Sequence, residues 1–133
     1  MKNGFKLTAI IHATPAEIYN TWMSSKGHAA MTGSPAKISG RVGGKFSAWD
    51  GYIFGKTHEL KPGKRIVQAW RTTEFPGDAS DSRLEVTIEK ASGGTKITLT
   101  HTSLPEEQVA DYKQGWEDFY FKPMREYFAG LSS

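Results

Sequence analysis

Residues 105–128, PEEQVADYKQGWEDFYFKPMREYF, constrain the fold more than any other stretch of this 133-residue chain. Read as one long helix at about 100° per residue, they sweep Tyr112, Trp116, Phe119, Tyr120, Phe121, Met124, Tyr127 and Phe128 through one broad arc. Asp118, Lys122, Arg125 and Glu126 take the other side. A helix this aromatic must bury its arc, so the remaining chain has to supply an apolar concavity of matching length. Pro123 lies inside the helix and lacks an N–H, which predicts a kink there. Gly115 predicts a close approach of helix to sheet.

The rest of the chain supplies strands. Phe5 to His12 reads as a first strand. Thr14-Pro15-Ala16-Glu17 is a capping box with proline at the first helical position, and the helix it opens places Ile18, Tyr19 and Trp22 on one face. Ser24-Ser25-Lys26-Gly27 interrupts that helix, and His28 to Met31 reads as a second short helical turn, with His28 to Pro35 as a flexible rim. Strands follow at 36–40, 45–49, 52–60 and 65–73, then around Leu84-Glu85-Val86-Thr87-Ile88, then at 95–101. Asp50-Gly51 predicts a two-residue hairpin turn, and Lys61-Pro62-Gly63-Lys64 and Ser92-Gly93-Gly94 predict turns as well. Turns this short make neighbouring strands antiparallel. The expectation is an α+β fold of one domain over residues 1–133: a curved antiparallel sheet of about six to seven strands, two short helices after the first strand, and a long C-terminal helix across the sheet.

Composition narrows the function classes. With 38% hydrophobic and 23% charged residues, the chain suits a globular protein with a real core. Cysteine is absent, which removes disulfides, thiolate metal sites and cysteine nucleophiles, and is compatible with a reducing cytoplasm. MKNGFKLTAIIHA has no signal-peptide character, and no window reaches the ~20 apolar residues of a membrane span. The net charge of +3 comes from basic residues scattered along the chain, so a nucleic-acid partner is not expected. No nucleophile elbow, zinc-protease motif, phosphate-binding loop or dinucleotide fingerprint is present, so neither catalysis nor a cofactor is expected. Gly40 to Gly44 lacks the Lys-Ser/Thr of a phosphate loop and reads as a hairpin or bulge. The four histidines, His12, His28, His58 and His101, have no metal-ligand spacing. His12 and His101 end the first and last predicted strands and are candidate neighbours.

The inward face of the sheet follows from alternation. If Leu84, Val86, Ile88, Ile97 and Leu99 face the long helix, so do Phe46 and Ala48, Ile53, Gly55 and Thr57, and Ile66, Gln68 and Trp70. Arg71 then points outward, toward Glu85. Gly55 and Thr57 are small or polar where a tight core wants bulk, and Gln68 puts a buried amide on an apolar face that must find a partner. Either the aromatic side chains of the long helix fill this space, or it is a cavity lined by Met31, Phe46, Ile53, Thr57, Gln68, Trp70, Trp116, Phe119 and Tyr120. Trp116 and Tyr120 should point into it and Phe121 should lie near its edge.

Several segments together resemble a known family. Gly43-Gly44-Lys45-Phe46, Asp50-Gly51, Gly55, Leu60-Lys61-Pro62, Ile66-Val67, Trp70-Arg71 and Pro76 are similar to the C-terminal domain of the activator of the heat-shock protein 90 ATPase. Gln114-Gly115-Trp116 and Tyr120-Phe121 extend the match over nearly the whole chain. The resemblance implies the helix-grip fold of the SRPBCC superfamily, which includes START domains, the birch-pollen allergen and polyketide cyclases. It implies a non-enzymatic domain whose hydrophobic cavity takes a small apolar or amphipathic ligand, a possible heat-shock protein 90-type chaperone partner, a stress-response role and a cytoplasmic location. The eukaryotic co-chaperone has an additional N-terminal domain of which this stretch shows no counterpart. The alternative within the superfamily is a cyclase-like or hydrolytic enzyme using Gln68, Tyr120 or His101.

Overall fold

The computed structural model describes residues 3–132. Seven strands form one antiparallel sheet: β1 (Phe5–Ile11), β2 (Lys37–Ile38), β3 (Lys45–Ala48), β4 (Ile53–Lys61), β5 (Arg65–Thr72), β6 (Ser82–Ala91) and β7 (Gly94–Thr102). Their order across the sheet is β1-β7-β6-β5-β4-β3-β2. Each hairpin neighbour pairs with the next, as short turns require, and the first strand closes against the last. Alternation holds along β6 and β7, where Leu84, Val86, Ile88, Ile97 and Leu99 are all buried. Phe46, Ala48, Ile53, Thr57, Ile66, Gln68 and Trp70 share that inward face. At His58 the pairing of β4 with β5 slips by one residue, a bulge that bends the strand.

Helices α1 (Pro15–Trp22) and α2 (Ser25–Thr32) follow β1. The capping box at α1 forms in full: the Glu17 N–H donates to Thr14 Oγ1 at 3.1 Å, and the Thr14 N–H donates to Glu17 Oε1 at 3.0 Å. Ser24 caps α2 through the Gly27 N–H at 3.1 Å, so this helix begins earlier than the single turn read at His28–Met31. It is no flexible rim: His28 and Met31 are each 2% exposed. The strand read at 36–40 shrinks to Lys37–Ile38.

The C-terminal element is not one continuous α-helix. A 3₁₀ turn (Glu106–Gln108) leads into α3 (Val109–Trp116), then a π-helical turn (Glu117–Phe121), then α4 (Lys122–Ser132). This wider turn lies just before Pro123, the residue at which the sequence predicts a kink. In it the Lys122 N–H donates to the carbonyl of Glu117, five residues back. The π turn also corrects the helical face. At 100° per residue Phe119 faces the sheet and Phe121 falls at the edge. In π geometry residues five apart stack, so Phe121 follows Trp116 inward and is buried, while Phe119 swings out and is 55% exposed. No helix among the described residues is long and apolar enough to cross a membrane.

A candidate binding cleft under the C-terminal helix

The space expected over Gly55, Thr57 and Gln68 is almost closed. A Cβ at Gly55 would lie 1.9 Å from the Ala69 carbonyl oxygen and 2.9 Å from the Phe46 ring, so this glycine marks close backbone approach and not a gap. The Gln68 amide donates to Thr57 Oγ1 at 3.2 Å, which engages both polar groups with each other. A void of about 10 Å³ remains beside Phe46, Gln68 and Tyr120, room for one water at most. Met31 and Thr57 line neither this void nor the larger opening described next.

Two buried histidines help to close that space. The Trp116 indole N–H donates to His101 Nδ1 at 3.0 Å, so Nδ1 is bare and Nε2 carries the hydrogen. That Nε2–H donates to Ser82 Oγ at 2.8 Å, and Ser82 in turn donates to the Trp70 carbonyl at 2.6 Å. His28 has the opposite tautomer: its Nδ1–H donates to the Trp22 carbonyl at 2.9 Å, and the Tyr120 hydroxyl donates to its Nε2 at 2.7 Å. Burial holds the His101 ring neutral, with its pKa lowered to about 3. It also lowers that of His28, against the opposing effect of its bond to Trp22. Burial drives the Tyr120 phenol upward. The three groups named for catalysis, Gln68, Tyr120 and His101, are all engaged with other protein groups. His12 and His101 are not neighbours, because β1 runs antiparallel to β7 and pairs Phe5 with His101.

The open space lies further along the helix. A cleft of about 520 Å³ separates α3 and the π turn from the β3–β4 turn and the end of β5. Of the nine residues expected to line a cavity, Ile53, Trp70, Trp116, Phe119 and Tyr120 border it, and Phe46 and Gln68 border the small void. Phe119 stands at the mouth, edge to face with Trp49 at 5.5 Å between centroids. Gly115 does not serve close packing: a Cβ there would meet nothing nearer than Phe119 at 3.8 Å, and the residue borders the cleft.

Sequence reasoning missed the rest of the lining: Trp49, Tyr52, Glu74, Gln108, Asp111 and Tyr112. Trp49 reads as strand, yet it belongs to a four-residue turn, Trp49 to Tyr52, in which Trp49 (φ 53°), Asp50 (φ 56°) and Gly51 (φ 89°) are all left-handed. That conformation is unfavourable for a bulky residue, and its indole N–H is buried beside the Tyr120 phenol. The visible signal was the row Tyr112, Trp116, Phe119 at helical spacing, whose first member marks the far wall. That wall is a connected polar network. The Tyr52 hydroxyl donates to Glu74 Oε2. The Tyr112 hydroxyl donates to Gln108 Oε1 at 2.7 Å and lies 2.6 Å from Thr72 Oγ1, while the Gln108 amide donates to the Glu74 carbonyl at 2.9 Å. Burial, reinforced by the Glu74 carboxylate, keeps the Tyr52 phenol protonated far above its usual range. Arg71 does not reach Glu85. It pairs with Asp81 at 2.8 Å and lies over the Phe75 ring, because the β5–β6 loop folds back across it. Glu85 instead pairs with Arg65 at 2.8 Å and Arg83 at 3.2 Å.

Comparison with known proteins agrees with this architecture. The chain is 28% identical over 115 residues to the Activator of 90 kDa heat shock protein ATPase homolog 1 of Homo sapiens, covering 86% of this chain and 34% of that protein. It is 28% identical over 115 residues to the Activator of 90 kDa heat shock protein ATPase homolog of Dictyostelium discoideum, covering 84% of this chain and 29% of the relative. The chain thus spans about a third of the length of these curated relatives. Among solved structures, an HSP90 activator from Plasmodium falciparum superposes with a TM-score of 0.79 at 24% identity, covering 96% of each chain. The Aha1 dimer from Colwellia psychrerythraea gives 0.80 at 18% identity, covering 96% of this chain and 97% of that one. At such identities the structural likeness shows the fold, which is the helix-grip fold. The sequence model described as "Activator of Hsp90 ATPase homolog 1-like protein" matches residues 12–129, and the chain belongs to that family.

Proposed function

We propose that the chain acts as one non-enzymatic helix-grip unit that binds a small amphipathic molecule in the cleft beneath α3. The observation that carries this reading is an open cleft of about 520 Å³ with aromatic walls and a polar end, the usual make-up of a small-molecule site. Engagement of Gln68, Tyr120 and His101 within the protein favours binding over catalysis by those groups. The test is chemical-shift perturbation with a panel of lipids, flavonoids and simple aromatics. Perturbations clustered on Trp49, Trp70, Trp116 and Phe119 are expected. A panel that leaves those residues unmoved would overturn the reading.

A second reading is favoured by the similarity to the human and Dictyostelium ATPase activators: a cytoplasmic co-chaperone role, in which the chain engages a heat-shock protein 90-type chaperone. It predicts that the purified chain changes the ATP hydrolysis rate of the chaperone from its own organism. An unchanged rate with no complex detected would count decisively against it.

A further inference from the structure

The chain carries a net charge of +3, yet the cleft has the opposite sign. Two carboxylates, Glu74 and Asp111, line it, and none of its described lining residues is Lys, Arg or His. The hydroxyl groups of the polar wall are already engaged: Tyr52 with Glu74, and Tyr112 with Gln108 and Thr72. The charged groups that line the cleft are thus the exposed carboxylates of Glu74, which accepts from Tyr52, and Asp111. Trp49, Trp116 and Phe119 line the same space, with Trp49 and Phe119 edge to face. Aromatic faces attract cations, tryptophan most strongly, and the attraction grows as the cation is desolvated. Burial pushes the Tyr112 phenol up against the opposing hydrogen bonds to Thr72 and Tyr52, and the charges of Glu74 and Asp111 add to the rise. An anionic ligand would meet two like charges and no counter-ion.

We propose that the cleft selects an organic cation: a substituted or quaternary ammonium head beside Glu74 and Asp111, on an aromatic or alkyl body packed between Trp49, Trp116 and Phe119. This rests on the ligand-binding reading above and specifies its ligand class.

The test titrates the full chain, by calorimetry, with three probes of similar shape: benzyltrimethylammonium, its neutral carbon isostere neopentylbenzene, and benzenesulfonate. The cation is expected to bind about tenfold more tightly than the neutral isostere, with the anion weakest. Raising the salt concentration should weaken the cation and leave the neutral probe unchanged. The double variant Glu74→Gln with Asp111→Asn keeps side-chain shape and acceptor atoms. It should lower cation affinity about tenfold without affecting the neutral probe. Equal or tighter binding of the neutral or anionic probe, or a cation affinity indifferent to the double variant, would overturn the cation selectivity while leaving ligand binding standing. If none of the three probes binds, both the selectivity and the binding reading fail.

Discussion

His28 and His101 sit at two of the points where the C-terminal helix is hydrogen-bonded into the body of the protein. Trp116 reaches His101 from α3, and Tyr120 reaches His28 from the π turn. In both pairs the histidine is the acceptor and is buried, so removing the donor leaves a buried nitrogen with no partner. Tyr120→Phe is therefore expected to destabilise the fold by about 1–3 kcal/mol, read from the shift in urea midpoint, with little loss of apolar packing. An unchanged midpoint would mean that water replaces the phenol. Neither pair could be read from the sequence. Tyr120 is 92 residues from His28, and the Trp116 contact depends on which ring nitrogen of His101 is bare. What the sequence did carry was the residue type: an uncharged, hydrogen-bonded ring is a common state for a histidine on an apolar face.

At the scale of elements, alternation located the inward face of β3 to β7, because a period of two leaves no freedom once one face is buried. The C-terminal helix was less legible. Its aromatic arc and charged back were right in outline, but the π turn moved Phe119 out and Phe121 in. A 3.6-residue period cannot anticipate a local change of period. Gly115 illustrates the consequence. Read as a packing glycine, it instead sits in α3 with open space where its side chain would be. Gly115→Ala should thus stabilise the protein by about 0.5–1 kcal/mol through helix propensity, raising Tm by a few degrees. The methyl group would also narrow the cleft. A lowered Tm would show that the backbone there is under a constraint not visible in the contacts around it.

At the scale of the molecule, the two histidines make folding sensitive to acid. Their folded pKa values are depressed, so below the unfolded value of about 6.5 the unfolded chain binds protons that the folded chain does not. Stability is fully present above that pH. It falls by about 1.4 kcal/mol per pH unit for each histidine while its native ring stays neutral. For His101 that window extends down to about pH 3. The groups around its ring are Phe5, Trp70, Trp116 and Ser82, none of them charged, so nothing in direct contact offsets the loss. Urea midpoints should drop steeply from pH 7 to pH 4.5. His101→Gln should be less stable at pH 7 but show a shallower fall. Equal stability at both pH values in the parent chain would refute this account.

The sequence by itself determined the architecture: an antiparallel sheet set by alternation and short turns, a capped helix set by Thr14 and Glu17, and an aromatic helix that had to cover the sheet. These are local signals, each decided by a period or a turn within a few residues. Where the open space lies was decided only by the tertiary structure. The volume left under a helix depends on how side chains from distant elements fill it: Phe46 closes over Gly55, Gln68 meets Thr57, and two histidines fasten the helix down. The cleft opens instead beside a strained turn and a polar wall drawn from three separate parts of the chain. No sequence period links those parts, so only the fold brings them together.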